Sequence, residues 1–100
     1  MPETTRDYEL MVVFAPQLDD QGVATAIERY TNWITAAGGV AAAPNVWGRR
    51  TLAYPIKKQT EGVYVQFDFQ LPPTKSRELE RNLRIDEQVL RHLLVRPDED

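Results

Sequence analysis

Two segments of period-two hydrophobicity constrain this chain more than any other feature. In the first, Tyr8, Leu10, Val12 and Phe14 alternate with Glu9, Met11 and Val13. In the second, Val63, Val65, Phe67 and Phe69 alternate with Tyr64, Gln66, Asp68 and Gln70. Successive strand side chains point to opposite faces, so each segment offers one apolar face and one mixed face. A sheet built on them buries the apolar face and leaves the other for solvent or for a partner.

What can cover the apolar face is also legible. Val23, Ile27, Tyr30, Ile34 and Ala37 recur at steps of four and three, which is one side of a helix. Asp19 or Asp20 can cap its first turn, Gly38-Gly39 stops it, and Trp33 sits at the edge of the apolar side. A second helix opens at Pro72-Pro73-Thr74, with Leu79 and Leu83 on a thin apolar face. Its other side is charged, and the spacing predicts that Glu80 pairs with Arg77 and Arg84. Asp86 can cap a short turn leading to Val89. Residues 40–56 read as one extended segment interrupted by Pro44 and Gly48, and Lys57 to Gly62 as a hairpin loop. Residues 90–95 are a last strand whose facing is ambiguous, because Leu93 and Leu94 are adjacent.

The order is strand–helix–strand–strand–helix–strand. Two split β-α-β units in this order give an α+β, ferredoxin-like fold, a four-stranded antiparallel sheet with both helices on one face. The 100 residues are enough for one such domain. Residues 1–7 are expected to form a flexible N-terminus, 8–96 the domain, and 97–100 an acidic tail.

Charge narrows the function. Between Glu28 and Glu61 lie five bases and no acid: Arg29, Arg49, Arg50, Lys57 and Lys58. The net charge is −3, and Asp98, Glu99 and Asp100 supply all of it. A neutral body thus carries a basic central segment, and local field decides what a surface attracts. The chain has no cysteine and one histidine, His92, so no metal set or nucleophilic set assembles, and no cofactor is expected. No apolar run is long enough to span a membrane.

The run Gly48-Arg49-Arg50-Thr51-Leu52-Ala53-Tyr54-Pro55-Ile56-Lys57 resembles the signature of the sixth protein of the bacterial small ribosomal subunit. Arg6-Asp7-Tyr8-Glu9, Pro16 with Leu18-Asp19, and the stretch from Glu78 to Glu87 with Val89-Leu90-Arg91-His92 are similar to further blocks of that family, in the same order. The resemblance implies a structural role in the cytoplasmic ribosome rather than an enzymatic one. It also implies two partners: the central domain of small-subunit ribosomal RNA, and the eighteenth protein of the same subunit. No small-molecule substrate is implied.

Set against the resemblance, the bases acquire roles. Arg49, Arg50, Lys57 and Lys58 are expected to meet phosphate, with Arg49 and Arg50 on opposite strand faces. Arg6, Arg91 and Arg96 extend the RNA-binding set. The mixed sheet face, through Met11, Val13, Tyr64 and Gln66, is the expected protein-docking surface. Tyr54, in an apolar run, is expected in the core, Trp33 and Trp47 as packing or partly exposed residues, and His92 as a packed one. Three other classes compete: a small enzyme using His92, a reader of single-stranded RNA through open-face aromatics, and a protein-only regulatory dimer. The enzyme lacks a convergent polar set. The RNA reader would need aromatics where Glu9, Met11, Gln66 and Asp68 stand.

Overall fold

The computed structural model describes residues 4–97. β1 is Arg6–Phe14, α1 Asp20–Ala36, β2 Val40–Ala41, β3 Asn45–Ile56, β4 Gln59–Leu71, α2 Ser76–Ile85 and β5 Val89–Val95, with a 3-10 turn at Pro73–Lys75 before α2. The sheet is antiparallel. β4 and β1 are central, β5 pairs the outer edge of β1, and β2 and β3 share the outer edge of β4. The ferredoxin-like expectation holds. The segment 40–56 is one edge strand in two pieces, broken around Pro44, which has no N–H to give to a ladder.

The core forms where the alternation places it. Tyr8, Leu10, Val12 and Phe14 of β1 meet Val63, Val65, Phe67 and Phe69 of β4 beneath Val23, Ala26, Tyr30 and Ile34 of α1 and Leu79 and Leu83 of α2. Tyr8 stacks on Phe69 with centroids 5.6 Å apart, and Tyr30 meets Phe67 edge-on at 6.4 Å, two geometries that the ring quadrupole favours. The Asp19 side chain accepts from the Gly22 N–H at 2.7 Å and so caps α1. Asp86 fastens the two helices together. Its Oδ2 accepts from Arg29 Nη2 and from the Tyr30 hydroxyl, both at 2.6 Å, while its Oδ1 accepts from the Gln88 N–H at 2.9 Å. Burial first, then the Asp86 hydrogen bond and charge, push the Tyr30 phenol well above its ordinary range, so it remains a donor.

Four sequence expectations need correction. β1 starts at Arg6, so Arg6 and Asp7 are strand residues rather than part of a flexible end; residues 1–3 and the acidic 98–100 lie outside the described residues. The hairpin loop is two residues, not six: Ile56 pairs with Gln59, and Lys57 and Lys58 alone make the turn. Val13 is buried. It belongs to a second small cluster on the far side of the sheet, with Leu52 and Leu90. Finally, Glu80 pairs with neither Arg77 nor Arg84; it reaches across to His92 Nε2 at 3.8 Å.

Candidate nucleic-acid and partner interface

The β3–β4 hairpin positions the basic residues, and two irregularities shape it. The first is at Trp47. Val46 pairs with Val65 and Gly48 with Tyr64, so Trp47 is one residue too many and is pushed out of register. Gly48 absorbs the kink at φ +95°, a conformation that glycine alone adopts cheaply. The second is larger. Thr51 pairs with Glu61 and Ile56 with Gln59, so residues 52–55 stand opposite Thr60 alone. This bulge turns Leu52 inward onto Val13 and Tyr54 outward, where it is 58% exposed. The core expectation for Tyr54 is therefore wrong. Period-two reasoning fails across a four-against-one bulge.

The swung-out hairpin is tied to β5. The Arg91 Nη1 donates to the Tyr54 hydroxyl at 2.8 Å, and Lys57 Nζ reaches the Val89 carbonyl at 3.4 Å. Lys57 and Arg91 are thus held at the same end of the sheet, with Lys58 next to Lys57 in the turn. Lys57 and Lys58 both hold positive φ, 49° and 66°. Two-residue hairpins of this hand usually carry Asn-Gly, because a side chain at positive φ costs roughly 1–2 kcal/mol.

The other expected RNA contacts separate. Arg49 and Arg50 point to opposite faces, as expected. Arg49 is on the helical side and donates to the Pro16 carbonyl at 2.9 Å; Arg50 stacks its guanidinium over Trp47 at 5.5 Å. Arg6 lies at the end of β1 remote from the hairpin tip, opposite Leu71. Arg96 follows Val95, which pairs with Glu9, and so belongs to that remote end too; it is half-buried and engaged within the protein. Of the seven expected contacts, Lys57, Lys58 and Arg91 form one cluster.

On the open sheet face Met11, Tyr64 and Gln66 are half-buried and accessible, whereas Val13 lies beneath the hairpin. Sequence reasoning missed three residues there. Trp47, pushed out by its bulge, closes a shallow groove with Met11, Leu93 and Val95. Leu93 and Val95 are 58% and 41% exposed, so β5 turns Leu94, not Leu93, toward the helices. The groove runs into an acidic end, where Asp7, Glu9 and Asp68 lie with Gln70. Gln66 donates to Asp68 and Gln70 to Asp7, each at 3.1 Å.

A sheet backed by two helices, with a basic hairpin tip and an apolar-acidic open face, defines a small α+β binding protein that works by surface contact. Comparison with known proteins makes the class specific. The family model described as Ribosomal protein S6 matches residues 7–96. The small ribosomal subunit protein bS6 of Salinispora arenicola is 46% identical over 93 residues, covering 93% of this chain and 97% of the relative. That of Caldanaerobacter subterraneus is 46% identical over 94 residues, 94% of this chain and 99% of the relative. The crystal structure of the 30S ribosomal protein S6 from Thermotoga maritima superposes with a TM-score of 0.86 at 29% identity, covering 93% of this chain and 88% of that one. The chain belongs to the ribosomal protein S6 family, and is a structural protein of the bacterial small ribosomal subunit.

Proposed function

We propose that this protein binds the central domain of small-subunit ribosomal RNA together with ribosomal protein S18, holding RNA at the hairpin tip and S18 on the open sheet face. The observation that carries the RNA half is the two-lysine turn. Lys57 and Lys58 occupy positions where a hairpin is more stable with Asn-Gly, and stored backbone strain points to a role for the side chains held there. Lysine at both positions puts two basic side chains on the turn, and Lys57 Nζ reaches the Val89 carbonyl, two residues before Arg91. Together with the exposed Tyr54 they offer charge and a hydrogen-bonding phenol to a phosphate backbone.

The partner half follows from complementarity. The groove of Met11, Trp47, Leu93 and Val95 supplies apolar area, and Asp7, Glu9 and Asp68 supply negative charge next to it. Such a face suits a partner with basic and apolar side chains, and it repels RNA. The two ligands therefore take different surfaces. With a net charge of −3 the chain alone binds RNA weakly, and S18 supplies the remaining affinity.

The test is a filter-binding titration on a central-domain RNA fragment. The protein is used alone, with S18, and with S18 as the variant Lys57→Gln, Lys58→Gln, Arg91→Gln. The chain alone binds weakly, S18 tightens binding, and the variant reduces the slope of log affinity against log salt by about one unit per lost contact. Tight binding without S18, or a variant with unchanged affinity and slope, refutes the assignment.

A further inference from the structure

The second helix carries a feature that neither the hairpin nor the open face uses. Arg77, Arg81 and Arg84 are all exposed on α2. At 100° per residue they fall within about 60° of one another, and at 1.5 Å per residue they rise about 10 Å along the axis. The side of α2 they occupy is opposite Leu79 and Leu83, which enter the core. They form a straight ridge pointing away from the sheet.

A charged helix face is usually neutralised by its own i,i+3 and i,i+4 partners. Among the described residues no acid pairs with the three arginines in this way. Glu78 pairs with Lys75 at 3.5 Å, and Glu80 turns toward the sheet to meet His92 at 3.8 Å. Asp86 is taken by Arg29 and Tyr30, and Glu87, exposed just beyond the end of α2, forms no ion pair with Arg84. All three arginines are without a carboxylate partner among the described residues.

We infer that this ridge is a second RNA contact, gripping the phosphate backbone of a segment other than the one at the hairpin tip. This rests on the reading that the protein binds ribosomal RNA. The chemistry favours phosphate over a protein partner. Each guanidinium offers a planar fork to phosphate oxygens and three in a row track a backbone, while the exposed apolar neighbour, Ile85, sits at the C-terminal end of the ridge and not at its centre, where protein interfaces place their anchors. Arg91 points to the open side of the sheet, and the ridge projects from the helical side. One backbone segment cannot lie against both, so the protein joins two segments and fixes their relative position.

The chain has no cysteine, so single tethers can be placed cleanly. Glu78→Cys flanks the ridge and spares its arginines; Thr60→Cys flanks the hairpin tip. Each is loaded with a tethered iron–EDTA complex and reconstituted into small subunits, and cleavage of the ribosomal RNA is mapped. The ridge variant Arg77→Ala, Arg81→Ala, Arg84→Ala is measured alongside by salt titration of the complex with S18 and RNA. Alanine is the stronger helix former, so the fold is not endangered. Cleavage from position 78 at a site distinct from that of position 60, with the salt slope lowered by about three units in the ridge variant, is the expected result. Cleavage from position 60 only overturns the second contact and leaves the hairpin reading standing. Cleavage from neither position overturns both. Cleavage from position 78 with an unchanged slope makes the ridge a bystander and also overturns the inference.

Discussion

Gly62 and Val13 offer the sharpest test of how the hairpin is held. A Cβ built on Gly62 comes within 2.4 Å of Val13 Cγ1 and 3.3 Å of the Phe14 carbonyl oxygen, where ordinary carbon contacts begin near 3.4 Å. Gly62 has no positive φ, so an alanine there suffers no backbone strain and the overlap is the whole effect. Overlap of this kind in a packed core costs roughly 1–3 kcal/mol, and we take about 2. At about 4–8 °C per kcal/mol, Gly62→Ala lowers Tm by roughly 8–16 °C. Val13→Ala removes two buried carbons, worth about 1.6 kcal/mol of transfer, and leaves a cavity, for a total of about 2–3 kcal/mol.

The two changes should not add. The new methyl group enters the space that the valine carbons vacate, so the double variant loses about 2–3 kcal/mol where the singles predict 4–5. Urea unfolding of the four proteins gives the coupling directly. A double variant additive to within about 0.5 kcal/mol refutes the knob-and-hole account of Val13 and Gly62. The same variants report on function. Gly62→Ala displaces the base of the hairpin, so affinity for RNA in the presence of S18 falls, and the double variant restores part of it.

Lys58→Gly removes a side chain from φ 66° and stabilises the fold by about 0.5–1 kcal/mol in urea, while weakening RNA binding; a loss of stability contradicts the strain argument. The raised Tyr30 phenol stays protonated in the folded protein after the unfolded one ionises. Stability from this group is therefore complete below about pH 10 and declines as pH rises further, and Tyr30→Phe removes that decline. Leu93→Asp places a charge in the open-face groove and weakens S18 binding by roughly 2 kcal/mol or more, with an unchanged circular dichroism spectrum; calorimetry showing wild-type affinity removes β5 from the interface.

Where the pattern is regular, the sequence is readable. The apolar faces of β1 and β4, the stripe of α1 and the Asp19 cap all follow from spacing, because core packing rewards the period that the residues already have. The misreadings of Tyr54 and of the length of the hairpin have one cause. Each lies in β3 or its turn, where two bulges break the register. The first is announced by Gly48; the second by Pro55 alone, which says that the ladder is interrupted and not which way side chains then turn. The pairing of Glu80 was misread differently. Helical spacing offers it two arginines, but His92 reaches it from another strand, and no local rule contains that contact.

These irregularities shape the proposed RNA site on a chain of net charge −3. The opposed charges lie far apart along β4: Gln59, next to the lysine turn, and Asp68 are nine residues apart, about 30 Å at roughly 3.3 Å per residue and several Debye lengths of about 8 Å. The bulge at 52–55 brings the turn across the Val13 end of the open face to Val89, where Arg91 donates to the Tyr54 hydroxyl, and the acids stay with Asp7 at the opposite end. Separation of charge along the sheet, more than the total, creates two surfaces of opposite preference on a domain with a radius of gyration of 13.7 Å. The small cluster of Val13, Leu52 and Leu90, with the strained lysine turn, holds the hairpin in place against β5. Loosening either should erode RNA binding before it unfolds the domain.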